Sequence, residues 1–249
     1  MRIPVMAGNW KMYKNAEETS AFFAKFNTAV AGTRGREIVI CPPFVDLPAA
    51  MDAARGSNVE IGAQNVYWEK EGAFTGEVSA PMLTAIGVRW VIIAHSERRH
   101  LFHETDETAH KKIVASLAAG LKPIVCVGEL LADREADNTE SVLERQFKGG
   151  IADLSAEQFA RIVIAYEPVW AIGTGQTATP EMASEAHAFI RDQARSRFGH
   201  DAAQAVRILY GGSVKPENAK ELMAQEDIDG VLVGGASLKP DSFAAIVNY

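Results

Sequence analysis

Cysteine is nearly absent from this chain: Cys41 and Cys126 are the only two in 249 residues, and each lies inside an apolar, strand-like run (Val39 to Cys41, Ile124 to Val127). A disulfide framework is therefore not expected, and two buried thiols in a reducing compartment fit better. Long hydrophobic runs are missing too. Nothing approaches the roughly 18 apolar residues of a membrane span, and the segment Met1 to Lys11 lacks the apolar stretch of a secretory leader. A soluble, cytoplasmic protein with no membrane partner is expected. There is no excess of positive charge: 25 Lys and Arg stand against 32 Asp and Glu, a formal net charge of −7. A nucleic-acid partner thus has no global electrostatic support, although a small anion can still be held by local lysines and helix N-termini. Nor is there a Pro/Gly/Ser-rich linker or low-complexity stretch, so residues 1–249 are expected to form one domain.

What is present is ordinary globular composition, 47% hydrophobic and 23% charged, arranged with a clear rhythm. Short apolar runs fall at Ile3 to Gly8, Ile38 to Cys41, Val59 to Ala63, Trp90 to Ala94, Ile124 to Val127, Ile162 to Tyr166, Val206 to Tyr210 and Val231 to Val233. Most are continuously apolar rather than alternating, as in strands buried on both faces of a parallel sheet. Helix-period segments separate them. Ala16 to Val30 places Phe22, Phe23 and Phe26 on one side, Thr105 to Ala119 stops at Gly120, and Pro180 to Phe198 opens with proline in a first turn. Eight strand–helix alternations in this length predict a closed α/β (β/α)8 barrel, with a doubly wound open sheet as the competing architecture. Polar residues follow the first, third, fourth, sixth, seventh and eighth runs, which favours a closed ring that brings those strand ends together.

Three of those strand ends carry a carboxylate, an imidazole and an ammonium. Glu167 follows Tyr166 directly in an apolar setting (Val169, Trp170, Ile172), where burial is expected to raise its pKa and make it a usable base. His95 precedes Ser96-Glu97-Arg98-Arg99, which can start a short helix whose dipole would hold the imidazole neutral. Lys11, two residues after Asn9, offers a positive charge at the first strand end. Gly211-Gly212-Ser213 and Gly234-Gly235 follow the seventh and eighth strands, where barrels seat phosphate on backbone N–H groups. The loop Pro168 to Gln176 alternates small and apolar residues, as a lid would.

Other chemistries fit less well. The glycines of Gly173-Thr174-Gly175 begin six residues beyond Glu167, too late for a dinucleotide fingerprint, and no Walker signature occurs. His100 and His103 sit among Arg98, Arg99 and Glu104 as on a solvated helix face; with His95 and His110 they make no H-E-x-x-H pattern. No metal and no cofactor is expected. A Schiff-base aldolase would need a lysine at a middle strand end, and a non-catalytic barrel would be expected to have lost Glu167 or His95.

In register, Ala7-Gly8-Asn9-Trp10-Lys11, Ala94-His95-Ser96-Glu97, Ala165 to Gly175, Tyr210 to Ser213 and Val233 to Ala236 make the whole chain resemble the triosephosphate isomerase family. The resemblance implies an isomerase of glycolysis and gluconeogenesis that interconverts dihydroxyacetone phosphate and glyceraldehyde 3-phosphate through an enediolate. It implies Glu167 as the base and neutral His95 as the electrophile and proton shuttle. Lys11 and Asn9 would orient substrate and stabilise the enediolate, and Glu97 would support the site. Gly173, Ser213, Gly234 and Gly235 would bind the phosphate. It further implies a homodimer, with the loop Gly72-Ala73-Phe74-Thr75-Gly76-Glu77 entering the partner subunit; Gln64-Asn65 belongs to the same resemblance. The chain departs from the family pattern at Leu130, usually Thr, at Gln176, usually the lid's closing Lys, and at Cys41, commonly Ala.

Overall fold

A computed structural model describes residues 2–173 and 177–249. Its strands are β1 (Val5–Asn9), β2 (Glu37–Cys41), β3 (Val59–Ala63), β4 (Trp90–Ile93), β5 (Lys122–Val127), β6 (Val163–Tyr166), β7 (Arg207–Tyr210) and β8 (Gly230–Val233). Every neighbouring pair is parallel, and β8 returns to β1 to close the ring in the order β1 to β8. The chain is thus a (β/α)8 barrel, and the open-sheet alternative is excluded. β1 begins at Val5 rather than Ile3. Pro4 has no N–H to offer a ladder, its carbonyl instead accepts from Glu37 N at 2.9 Å, and Ile3 is exposed.

Side chains alternate faces along each strand, so two cores form. Val5, Ala7, Val39, Cys41, Trp90, Ile92, Ile124, Cys126, Val163, Ala165, Leu209 and Leu232 fill the barrel interior. The opposite faces pack on the surrounding helices. The helix Ala16–Val30, capped by Asn15 through a reciprocal bond with Glu18, turns Phe22, Phe23, Phe26 and Val30 inward. Phe22 packs edge-on against Trp10 at 4.8 Å and Phe26 stacks on Phe243 at 5.3 Å, so the first helix and the last are joined across the β1/β8 seam. Each such buried ring is worth about 1.5–3 kcal/mol over an exposed one.

Parity also explains where the polar groups emerge. Glu167 continues the inward column of Val163 and Ala165, and Asn9 continues that of Val5 and Ala7, so both rise into the barrel mouth. His95 does not follow this rule. Trp90 and Ile92 point inward, and His95 would face outward if the strand ran on. Ala94 instead takes a left-handed conformation (φ 60°), which re-aims the imidazole into the mouth.

A buried histidine sits behind this wall. His187, on the helix Pro180–Phe198, lies edge-on to Tyr166 with Nδ1 3.1 Å from the Asp227 carbonyl. A carbonyl only accepts, so the proton is on Nδ1, and Nε2 is buried without a partner. Burial pushes its pKa down to about 4. The unfolded value is about 6.5, so the neutral ring stabilises the fold fully above that pH. This contribution is lost as pH falls through the window to about 4, a loss on the order of 3 kcal/mol. Denaturant midpoints at pH 7, 5 and 4 should show that His187→Gln, whatever its loss at pH 7, has a flatter acid limb than the wild type. Parallel limbs would show that this ring does not titrate on unfolding.

Candidate active site

The turn that presents His95 is fixed from both sides. Ala94 N–H donates to Glu104 Oε1 at 3.0 Å, and Ala94 O accepts from Arg99 Nε at 3.0 Å. Glu104 is itself buried, held by Lys112 Nζ at 2.6 Å and Arg98 Nε at 2.9 Å. A left-handed alanine costs on the order of 1–3 kcal/mol and persists where its surroundings over-determine it. Arg98, Arg99 and Glu104 therefore do more than decorate a solvated face, as the sequence suggested; they clamp the peptide that aims His95. His100 and His103 are exposed, as expected.

His95 then caps the helix Ser96–Leu101: its Nδ1 accepts the Glu97 N–H at 3.2 Å. Only an unprotonated nitrogen accepts, which places the remaining proton on Nε2 and leaves the ring neutral. Burial also opposes an imidazolium, but the facing Glu167 carboxylate favours one, and the balance lies above the ordinary histidine value. The helix N-terminus and the carboxylate thus pull on the same proton in opposite directions.

Glu167 is buried, with Oε1 2.9 Å from His95 Nε2 and Oε2 accepting Ser96 N–H at 2.9 Å. The imidazole contact is off the line of a good hydrogen bond, so Oε1 has no aligned donor. The pKa expectation is corrected here. Burial does raise the Glu167 carboxyl, but His95, the Ser96 N–H and the Cys126 thiol together hold it below the usual value. The sequence shows the apolar loop after Glu167 and not the donors that reach it from β4 and β5. Cys126 is accordingly more than a small hydrophobe, since its sulfur faces the carboxylate. Close backbone approach makes room for this: a Cβ on Gly128 would stand 1.7 Å from the Glu167 carbonyl oxygen, and one on Gly211 2.9 Å from Glu167 Cγ.

Lys11 also has a left-handed backbone (φ 52°). Its N–H donates to Asn9 Oδ1 at 3.0 Å, its carbonyl accepts from Gln64 Nε2 at 2.8 Å, and its Nζ pairs with Glu97 Oε1 at 2.6 Å. The buried Asn65 Oδ1 accepts from Lys112 Nζ at 2.8 Å, which links this loop to the Glu104 clamp.

A cavity of about 290 Å³ opens at the C-terminal ends of the strands. Asn9, Lys11, His95, Glu167, Gly173, Ser213, Gly234 and Gly235 all line it. Glu97 does not line it and stands behind Lys11 and His95, 2.6 Å from Lys11 Nζ and 3.7 Å from His95 Nδ1. Leu232, Gly211, Gly212 and Lys215 also line it; of these, the two glycines were visible in the motif, whereas nothing in the sequence marks Leu232 as the floor or Lys215 as part of the rim. At the entry to the lid, Val169–Ala171 forms a short 3₁₀ turn, with Trp170 Nε1 donating to the buried Glu129 at 2.9 Å. Ile172 and Gly173 reach the cavity. Thr174, Gly175 and Gln176, in the loop expected from the sequence to act as a lid, lie outside the described residues.

A carboxylate and a neutral imidazole 2.9 Å apart, with two lysines and several glycines lining the same cavity, make a site for moving protons on a small anion. Comparisons of the sequence agree with this chemistry. Residues 4–249 match the family model described as triosephosphate isomerase. Over 249 residues the chain is 67% identical to the triosephosphate isomerase of Solibacter usitatus, with both chains covered completely. It is 55% identical to that of Citrifermentans bemidjiense and 56% identical to that of Moorella thermoacetica, each match covering 100% of this chain and 99% of the relative. With the barrel, the residues at its mouth and these full-length matches in agreement, the chain belongs to the triosephosphate isomerase family.

Proposed function

We propose that the chain interconverts dihydroxyacetone phosphate and glyceraldehyde 3-phosphate as one catalytic domain spanning residues 1–249. The observation that carries this reading is the pairing of Glu167 with the Nε2–H of His95 at the cavity floor. Glu167 takes the proton from carbon 1 of the ketose, which requires its carboxylate to leave the Ser96 N–H, and returns it at carbon 2. His95 Nε2–H polarises the carbonyl and moves a proton between the two oxygens. The Lys11 ammonium, held by Glu97 and set by Asn9, faces the charge that develops on the enediolate, where a fixed charge in a water-poor site acts most strongly. Gly173, Ser213, Gly234 and Gly235 receive the phosphate. A closing lid would keep water out and fix the phosphate, which suppresses its expulsion from the enediolate.

No step in this scheme calls for a metal or organic cofactor. A coupled assay on the purified chain is expected to show interconversion in both directions, undiminished by EDTA. No turnover with either triose phosphate would overturn the reading, and a loss in EDTA restored by added metal would overturn its cofactor-free form.

The homodimer belongs to the same proposal. Gly72 to Glu77 is exposed, Phe74 within it packs on Tyr67 at 4.7 Å, and apolar Met12, Tyr13, Val45, Met82, Leu101 and Phe102 are exposed. Met12 and Tyr13 adjoin Lys11, and Leu101 and Phe102 end the helix that begins after His95, so a partner covering them would remove apolar surface from water beside the site. Among the described residues no helix is long and apolar enough to cross a membrane. We place the enzyme in the cytoplasm, in glycolysis and gluconeogenesis; the two buried free thiols are compatible with that.

A further inference from the structure

Two lysines line the cavity, and they are in different electrostatic states. Lys11 is committed to Glu97 through a 2.6 Å contact. Lys215 is exposed at the rim, and among the described residues its side chain has no carboxylate partner. Only its backbone is engaged: Lys215 N–H donates to Asn218 Oδ1 at 2.8 Å, while Asn218 Nδ2 donates to Ser213 O at 3.1 Å. One side chain in the first turn of the helix Pro216–Met223 therefore ties Ser213 and Lys215 to the same edge of the cavity. Among the described residues the ammonium makes no hydrogen bond or ion pair, and Lys215 lines the cavity beside Gly211 and Gly212.

We propose that Lys215 draws the phosphate group of the substrate into the cavity, as a positioning residue that acts on capture rather than on proton transfer. This rests on the triose phosphate reading above. A phosphate dianion approaching this chain meets a formal net charge of −7, and the cavity's other lysine already faces a carboxylate. An unpaired cation at the mouth of a cleft focuses the local potential and speeds the encounter with an anion. Lys215 follows Ser213 by two residues beyond β7, and among the described residues no hydrogen bond or ion pair joins its side chain to Glu167 or His95, so its charge weights entry and binding.

The test compares wild type with Lys215→Gln and Lys215→Arg. The backbone cap uses no Lys215 side-chain atom, so both variants keep the rim. At low ionic strength Lys215→Gln should lower kcat/KM by about 3–10-fold through KM, with kcat within about twofold of wild type. Lys215→Arg should restore most of it. At about 0.5 M NaCl, where charges are screened beyond about 4 Å, the wild type and the Gln variant should converge. Calorimetric titration with inorganic phosphate should show the same weakening without any turnover. Equal kcat/KM at low salt, a loss confined to kcat, or equal phosphate affinity in wild type and Lys215→Gln overturns the proposal. If wild type fails to isomerise triose phosphates, the functional reading falls while the phosphate titration still decides the role of Lys215.

Discussion

Glu167→Gln is expected to lower kcat by about 10²–10⁴, the usual worth of a positioned general base. The substitution keeps the shape of the side chain, and the amide oxygen still accepts the Ser96 N–H that now binds Oε2 at 2.9 Å. What it removes is the basic lone pair that Oε1 presents, buried and without an aligned donor, at the cavity floor. The barrel should fold and inorganic phosphate should bind as before, because the glycine seats lie on β7 and β8. The check is a coupled isomerase assay beside a phosphate competition measurement on the same preparation. A variant that keeps more than a tenth of wild-type turnover removes Glu167 from the role of base.

Lys11→Met should be comparably severe and should differ in kind from the Lys215 variants. Lys11 lines the cavity with Asn9 and His95 and is held there by Glu97, and in the proposed mechanism its removal takes the positive charge from the developing enediolate and from the bound phosphate together. Loss of one such preorganised charge costs about 10²–10³ in rate. It also leaves Glu97 without its partner beside the Nδ1 side of His95, where the two groups are 3.7 Å apart. A fall in both kcat and kcat/KM that persists at high salt is therefore expected, since a charge in contact with the reacting oxygen is screened little. Unchanged kinetics at moderate salt would remove Lys11 from the mechanism.

The barrel was legible in the sequence because buried parallel strands announce themselves as continuous apolar runs, and because Phe22, Phe23 and Phe26 recur at helical spacing. The residues around the cavity were legible for a related reason: a strand that ends in Asn9, His95 or Glu167 has been interrupted by a group with no packing role. What periodicity cannot display is anything carried by tertiary contacts. The left-handed turn at Ala94 has no glycine to mark it and exists through Glu104 and Arg99, whose charges read as surface. The lowered pKa of Glu167 depends on His95, on an amide from Ser96 in the helix after β4 and on a thiol from Cys126 in β5. Lys215 looks like any lysine before a helical proline until the ring closes and places it on the lining of the cavity.

The seam between β1 and β8, where Val5 pairs with Gly230 and Gly8 with Val233, has a consequence for how the protein comes into being. Asn9 and Lys11 leave the ribosome before any other residue that lines the cavity, and Gly234 and Gly235 after nearly all of them, yet they share that cavity. A nascent chain that already holds Glu167 and His95 has the pair we propose to move protons, but no eighth strand to complete the cavity or to cover the edge of the first. Catalysis is thus withheld until translation has delivered the eighth strand, and until then the growing chain must shield the unpaired parallel edge of β1.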